Sequence, residues 1–549
     1  MPKINLNKKS LIKLIGKKFS DSELTEKIPM IGVDLESISK DEVIVEVFPN
    51  RPDLLSDHGF ARSFKSFIGK ETGLKKFKVN DSRLKVIVDP ALKNIRPYTA
   101  CAIVKNLKLS DEDIIELMQL QEKLHITFCR NRKKASIGIY PLSKIKFPVY
   151  YKALSQEKIR FQPLDEHKIL TAKEILERTP KGKYYEHLLE NFNLYPCFID
   201  ANNNFMSLIP IINSELTGKV TEKTKDVFVE VSGTDLIVIN QCLNILVSTL
   251  ADLNGKIYSL TIQYSDKKLT TPNLKPTEMN VDLNYINKIL GLNLKDNALN
   301  KLFSKMGLDY KNKKALIPAY RIDILNQRDL AEEIAIAYGY NNFVPEIPQI
   351  STIAEEDKLE KFKSLIKEVL IGLNFNEINT FHLSNKLNQN NKMNFDSELI
   401  ELENSLTEEY NVLRSWLLPS LMETLSINKH NEYPQNIFTI GNSFSKDKSS
   451  ETGIKEEAKL AVALSAIGSN YTKIRQVLEA LLSSLGIKAV YREFNHKSFI
   501  NGRSAEVLIN GKQIAVLGEV SPFVLTEWKL EMPVSAFELN LSELFKILN

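Results

Sequence analysis

The strongest constraint on how this chain folds is that it carries one module twice. Leu14-Ile-Gly16 matches Ile289-Leu-Gly291, and in both cases the next glycine follows sixteen residues later, at Gly32 and Gly307. Arg51-Pro-Asp53 then matches Arg321-Ile-Asp323, with a glycine sixteen residues past each aspartate, at Gly69 and Gly339. A solenoid needs about three or more stacked units, so two copies separated by a long insertion indicate duplication inside a multidomain protein. The first copy, Ile4 to Lys70, reads as helix, strand, loop, helix; the second spans Met279 to Asn341. At 549 residues the chain has room for about three to five domains of ~100–200 residues each.

The second copy ends in a helix that gathers acids. Asp329, Glu332 and Glu333 fall at i, i+3 and i+4, so they share a face and repel by a few tenths of a kcal/mol per pair unless a cation sits among them. Asp323, on the extended stretch upstream, closes the cluster. Leu330, Ile334, Ala337 and Tyr338 form the opposite stripe, which packs on a core while the acids face outward, and Gly339 ends the helix. Four carboxylates with no sulfur or imidazole nearby suit a hard cation such as Mg²⁺. Spacing alone favours a solvated acidic face, because acids in a first turn already complement the helix dipole. The first copy has Asp57-His-Gly-Phe-Ala-Arg62 at that place, so a metal site is expected only in the second.

Composition narrows the class. An apolar fraction of 43% and a charged fraction of 26% are those of a globular protein. The net charge of +5 is too weak to announce nucleic acid, which leaves the local patches Lys8-Lys9, Lys75-Lys76-Phe-Lys78 and Arg130-Asn-Arg-Lys-Lys134 as phosphate contacts or solvated faces. Cys101, Cys129, Cys197 and Cys242 form no CxxC pair, which argues against zinc and against a disulfide framework. No stretch reaches the ~18 apolar residues of a membrane span and the N-terminus lacks a signal-peptide core, so a cytoplasmic protein is expected.

Between the copies lies an α/β unit. Strand-like runs at Tyr98 to Val104, Ala135 to Tyr140 and Val227 to Val231 alternate with helical patterns at Asp111 to His125 and Asp235 to Leu253. Pro272 to Thr277 and Val344 to Pro348 read as linkers. A last unit opens with the amphipathic helix Lys358 to Leu373. The expected fold is therefore mixed α/β and α+β in four parts: 1–83, 84–264, 270–345 and 350–549.

The run Val47-Phe-Pro-Asn-Arg-Pro-Asp-Leu-Leu-Ser56 with Gly59-Phe-Ala-Arg62, taken with the acidic helix, resembles the β subunit of phenylalanyl-tRNA synthetase in its archaeal and eukaryotic form. The resemblance continues through Pro210-Ile-Ile-Asn-Ser-Glu215, Gly233-Thr-Asp235, Asn411-Val-Leu-Arg-Ser-Trp-Leu-Leu-Pro419, Asn428-Lys-His430, Ile437-Phe-Thr-Ile-Gly441 and Gly518-Glu-Val-Ser-Pro522. Ordered motifs over nearly a whole chain are far more specific than any one of them. The resemblance implies an α₂β₂ ligase that charges tRNA(Phe) with phenylalanine at the expense of ATP, with ATP and phenylalanine bound mainly by the α subunit. It also implies that Asp323, Asp329, Glu332 and Glu333 bind Mg²⁺, in a module of the B5 type.

By the same resemblance, residues 84–264 are an editing domain of the B3/B4 type, which hydrolyses tyrosine mischarged onto tRNA(Phe). A pocket for phenylalanine rejects an isostere with one added hydroxyl by only ~10²-fold, so a second site that recognises the phenol is useful. Ser207, Asn213, Ser214, Glu215, Thr234 and Asp235 match the family's pocket-lining stretches; as bare residue types they are also those of turns and caps. This chain departs from the family at Tyr140-Pro141, where His-Asp is usual, and at Leu208-Ile209. Residues 350–549 resemble the class II synthetase fold as an antiparallel-sheet scaffold without catalytic motifs: no glycine-rich turn carrying an ATP-clamping arginine follows Glu506, and Arg414, Arg475, Arg492 and Arg503 read as surface or interface cations. Leu413, Trp416, Leu417 and Leu418 are expected in a core or at the α interface. Two rival readings are a stand-alone hydrolase of mischarged tRNA, acting through residues 84–264 alone, and a noncatalytic tRNA-binding or assembly protein.

Overall fold

The structure is a computed structural model that describes residues 2–349 and 352–548. It forms two compact units, Met1–Glu346 and Ile347–Asn549.

Within the first unit the two copies share one element order. The strand Lys3–Asn7, the helices Lys8–Ile15 and Asp21–Lys27, the strands Asp34–Ile38 and Glu42–Glu46 and the helix Asp57–Phe67 make the first copy. The strand Thr277–Asn280, the helices Leu283–Leu290 and Asp296–Lys305, the strands Asp309–Lys311 and Lys314–Ile317 and the helix Gln327–Tyr338 make the second. In each three-stranded sheet the last strand lies between the other two. The opening residues are thus a strand, which corrects the helix-first reading. Ile4 and Leu6 are buried between exposed Lys3, Asn5 and Asn7, a period of two, and helical spacing starts only at Lys8.

The repeated glycines are structural signals. Gly16 and Gly291 take φ of 67° and 65° and donate to Ile12 O and Asn287 O, closing their helices in the left-handed conformation. Gly32 lies against Ile336, and Gly307 against Ser66. Ile336 and Ser66 hold the same place on their helices, three residues before Gly339 and Gly69. Each copy thus offers its second glycine to the other's last helix, the reciprocal contact of a two-fold pair.

The central sheet runs in the order Ile212–Asn213, Phe205–Leu208, Tyr195–Ile199, Val149–Leu154, Val79–Val88, Lys256–Gln263, Tyr98–Lys105, Val227–Gly233, Ala135–Pro141, with Lys268–Thr271 paired to Lys256–Gln263. The strands read at 98, 135 and 227 are all present, and the helices are Asp111–Ile126 and Leu236–Asp252. Ile137 and Ile139 point to these helices in a core that continues into the first copy; Tyr140, Phe228 and Tyr151 point to the other face. All four cysteines are buried free thiols, Cys129 and Cys242 with sulfurs 3.9 Å apart.

The second unit is a seven-stranded sheet in the order Asn376–Glu377, Gln435–Lys446, Ile454–Ser465, Val534–Asn540, Lys512–Val520, Phe499–Ile509, Val490–Glu493, antiparallel except for its first pair. Lys358–Gly372, Tyr471–Ser484 and Leu541–Leu548 cover one face; Leu418–Ile427 and Pro522–Glu527 cover part of the other. Trp416, Leu417 and Leu418 lie in that second core, and Leu413 is half-buried, so three of these four apolar positions are interior. Among the described residues no helix is long and apolar enough to cross a membrane.

Candidate functional site: an acidic helix and a cleft on the central sheet

Helix Gln327–Tyr338 starts at Asn326, whose side chain accepts from Arg328 N, while Asp329 Oδ2 accepts from Leu325 N at 2.6 Å and Asn326 N at 2.8 Å. Asp329 therefore caps the helix as well as belonging to the acid cluster. Two of the four acids meet a partner that spacing did not reveal. Arg321 donates to Asp323 at 2.9 and 2.7 Å and to Glu333 at 3.0 and 2.6 Å. Glu333 is buried, which corrects the picture of three acids on one outward face; only Glu332 is exposed. Burial works to raise the Asp323 carboxyl, but the charge and hydrogen bonds of Arg321, with Arg51 behind it, hold it at about 2. Glu332 is raised above the ordinary range, first by partial loss of hydration and then by the negative charges of Glu333, Asp329 and Asp323.

The donor set is all carboxylate, as a hard divalent cation requires. Each carboxylate has about four acceptor sites, but among the described residues no three of Asp323, Asp329, Glu332 and Glu333 bring ligand atoms within 4.8 Å of one another, and Arg321 and the helix cap already hold Asp323, Glu333 and Asp329. The raised Glu332 marks where positive charge would be most favourable.

The other predicted set lies beside a cleft of about 560 Å³ between the helix Asp111–Ile126, the strand Ala135–Pro141 and residues 208–220, a size suited to an organic ligand. Ile137, Ile139, Pro210 and Asn213 line it. Arg132, stacked on Tyr185 at 4.3 Å, donates to Pro210 O and Ile211 O at 2.9 Å and fixes that wall. His125 Nε2 accepts from Ile137 N at 2.9 Å, and burial pushes the imidazole down to about 4, so it stays neutral.

Of the six predicted residues, the structure brings two together. Ser207 Oγ and Asn213 Oδ1 both reach the Tyr140 hydroxyl, at 2.9 and 3.2 Å. Ser214 begins the short helix Glu215–Gly218. Glu215 accepts from Asp165 N and Lys219 Nζ. Asp235 caps Leu236–Asp252 and takes Lys134 at 3.2 Å. Thr234 is exposed near Lys133 O and Lys134 O. Of these four, Asp235 alone caps a helix with its side chain; the Ser214 side chain makes no cap bond. Sequence reasoning missed Glu230, which completes the cluster at 3.4 Å from the Tyr140 hydroxyl and accepts from Ser232 Oγ at 2.6 Å. Its signal was present: one acid inside the fully buried, mostly apolar strand Val227–Gly233.

Several alternative sites dissolve on inspection. Among the described residues, the one set of three or more His, Cys, Asp or Glu side chains with ligand atoms all within 4.8 Å is His58, Asp113 and Glu116. There His58 Nδ1 pairs with Glu116 Oε2 at 2.8 Å, and although burial lowers the imidazole, Glu116 raises it further, which favours a charged donor over a metal ligand. Lys8 is buried, bonded to Ser39 O and Asp21, and Arg132 is buried as described, so neither patch presents all its cations. Arg414, expected at a surface or interface, is an interior anchor: it donates to Asn442 O and Thr380 Oγ1, both at 2.8 Å. Arg475, Arg492 and Arg503 do form surface ion pairs, with Glu479, Glu506 and Glu519.

Comparison with known proteins closes the question of kinship. A family profile described as the phenylalanyl tRNA synthetase beta chain CLM domain matches residues 344–541, and one described as the tRNA synthetase B5 domain matches 279–340. The chain is 41% identical to the phenylalanine–tRNA ligase beta subunit of Pyrococcus horikoshii, with all of both chains covered. It is 40% identical to that of Methanocaldococcus jannaschii, over 98% of this chain and all of the relative. A crystal structure of an N-terminal fragment of the P. horikoshii phenylalanyl-tRNA synthetase beta subunit aligns with a TM-score of 0.60 and 40% identity, over 61% of this chain and 99% of the fragment. The chain belongs to the phenylalanine–tRNA ligase beta subunit family and is a subunit of an aminoacyl-tRNA synthetase.

Proposed function

We propose that this chain is the noncatalytic partner in an α₂β₂ ligase that attaches L-phenylalanine to tRNA(Phe) using ATP, with activation of the amino acid on the α subunit. End-to-end similarity to beta subunits carries this reading. It is supported by the arginines of the second unit, which are either buried as anchors or tied to surface acids, so none stands ready to clamp a triphosphate. A candidate contact for α is the small sheet Leu383–Ser384, Val412–Leu413, Ile400–Glu401, around which Phe381, Leu383, Leu402, Leu406 and Tyr410 are exposed. Apolar side chains of that kind suit an obligate interface.

Asp323, Asp329, Glu332 and Glu333 are the proposed Mg²⁺ ligands. A bound Mg²⁺ would supply positive charge, while the chain's own work is done by Arg321, which orients two of the carboxylates, and by Asp329, which fixes the helix start. Residues 84–264 are the proposed editing body, with the cleft beside Asn213 as the place for the 3′ end of a mischarged tRNA(Phe).

Co-expression with the α subunit of the same organism tests the assignment. Charging of tRNA(Phe) with phenylalanine should require both chains. Failure of the two to associate, or rapid deacylation of Tyr-tRNA(Phe) by this chain alone, would sink the scaffold reading in favour of a stand-alone hydrolase.

A further inference from the structure

We infer that the pocket on the second unit's sheet, walled by Phe395, Trp416, His496 and Phe499 and floored by Glu457, Lys459 and Glu538, binds a small aryl ammonium ion.

The floor follows from strand alternation. Glu457 and Lys459 are two apart on the strand Ile454–Ser465, and Glu538 and Asn540 are two apart on its neighbour Val534–Asn540, with Lys459 opposite Asn540 and Ala461 opposite Glu538. These residues therefore share one face, while Ala458, Leu460 and Leu539 between them enter the core on the other. The helices Leu418–Ile427 and Pro522–Glu527 cover only part of the polar face. Beside them lies a pocket of about 310 Å³, at the small end of the range for ligand sites.

The wall is aromatic. The His496 ring lies on Phe395 with centroids 4.4 Å apart and an interplanar angle of 30°, and Trp416 and Phe499 stand 5.6 and 5.5 Å from it. Trp416 Nε1 donates to Gln389 O at 3.1 Å, which fixes the indole. Trp416 and Phe499 are buried, whereas Phe395 and His496 are half-buried and keep ring surface open. His496 Nδ1 accepts from Ser498 N at 3.3 Å, and burial pushes the imidazole down to about 4, so the wall carries no charge near neutrality. Uncharged rings of this kind attract another ring and, through their π faces, a cation.

The floor sets the sign of the ligand. Lys459 Nζ lies 3.2 Å from Glu538 Oε1 and 3.3 Å from Ser415 O, and Glu538 Oε2 accepts from Leu417 N and Leu418 N at 2.8 and 3.0 Å. This pair is committed to itself and to the start of the helix. Glu457 differs: Lys455 Nζ at 2.8 Å and Asn540 Nδ2 at 3.1 Å both bond its Oε1. Burial works to raise its carboxyl, but those two partners hold it below the ordinary range, so it is charged near neutrality. A carboxylate has about four acceptor sites, so Oε2 can take a donor from the pocket. The lining sets two carboxylates against one ammonium, and an anion would meet both. Among the described residues no arginine lines the pocket, so the phosphates of a nucleotide would find no guanidinium. None of these residues belongs to the acidic helix or to the cleft of the first unit.

The test is a ligand-observed NMR titration of the full chain near neutral pH with benzylamine, benzyl alcohol and benzoate, which share a ring and a one-carbon arm and differ in charge. Benzylamine should bind at least about fivefold more tightly than benzyl alcohol, and benzoate more weakly than either. Glu457→Gln keeps the shape of the side chain; it should weaken benzylamine at least about fivefold and leave benzyl alcohol unchanged. Phe395→Leu keeps apolar volume and removes a ring face, and it should weaken both by similar factors. The two variants act on different parts of the pocket, so loss of fold in one leaves the other to decide. Equal affinity for benzylamine and benzyl alcohol, a preference for benzoate, or no binding at all overturns the inference. Benzylamine binding that survives both substitutions places the ligand elsewhere and overturns it as well.

Discussion

Glu333 and Glu230 are both buried glutamates in the first unit, and the two sites around them handle a carboxylate in opposite ways. Glu333 lies against the Arg321 guanidinium, which also holds Asp323. Among the described residues Glu230 has only hydroxyls within hydrogen-bond reach, from Ser232 and Tyr140, and burial pushes its carboxyl up to about 7. A fixed cation keeps charge in place for another charged ligand; a proton removes it and leaves a neutral donor for a hydroxyl. The first carboxylate therefore stays charged beside its guanidinium and the second is held among hydroxyls, although both are the same functional group.

The duplicated modules sharpen this. Arg51 grips Asp53 with bonds of 2.9 Å just as Arg321 grips Asp323, but ten residues past the aspartate the first copy has Ser63, 3.2 Å from Arg51, where the second has Glu333. One residue earlier, Arg62 stands where the second copy has Glu332. Arg62 pairs with Asp252 and stacks on Tyr320 at 4.0 Å. The first copy thus uses the shared frame to bind the central body, and the second leaves it acidic.

The largest effect should follow Arg321→Ala, which strands two buried carboxylates and should cost about 3–5 kcal/mol in urea unfolding of the full chain. A loss below about 1 kcal/mol would mean that the acids are not held as described. Arg51→Ala strands only Asp53 and should sit at the low end of that range, about 3 kcal/mol; a cost equal to or above that of Arg321→Ala would erase the distinction between the copies.

Next comes pH. With Glu230 raised from 4.5 to about 7 on folding, the folded state binds more protons than the unfolded one in that window. Stability from this group is full below the unfolded value and declines as pH rises through about 7, by about 3 kcal/mol in all. Urea midpoints measured at about pH 5 and pH 8 should show that decline in the native chain and not in Glu230→Gln; a decline that survives the substitution assigns it elsewhere.

The smallest stability change is expected for Glu332→Arg, which imports the first copy's residue at an exposed position and should stay within about 0.5 kcal/mol. Its informative readout is ligand-linked. Millimolar Mg²⁺ should raise the native thermal midpoint and leave this variant unmoved, whereas equal shifts in both would place the cation away from the acidic helix.

Much of this was legible along the chain. The glycine and Arg-x-Asp spacings announced the duplication because a left-handed cap tolerates little else than glycine. The strands at 98, 135 and 227 were legible because they are buried on both faces and read as apolar runs. The first strand was misread because Ile4 and Leu6 alone give too short an alternation to separate from the helix that follows.

By itself the sequence determined the repeat, the boundaries of most elements, the acidic residues and the family. Only tertiary structure decided what those acids do, because charge compensation and desolvation depend on distances between residues far apart in the chain. Arg321 reaches twelve positions along to Glu333, and Glu230 meets Tyr140 across ninety. Periodicity encodes which face is buried; which partner waits there is settled when the strands and helices close around it.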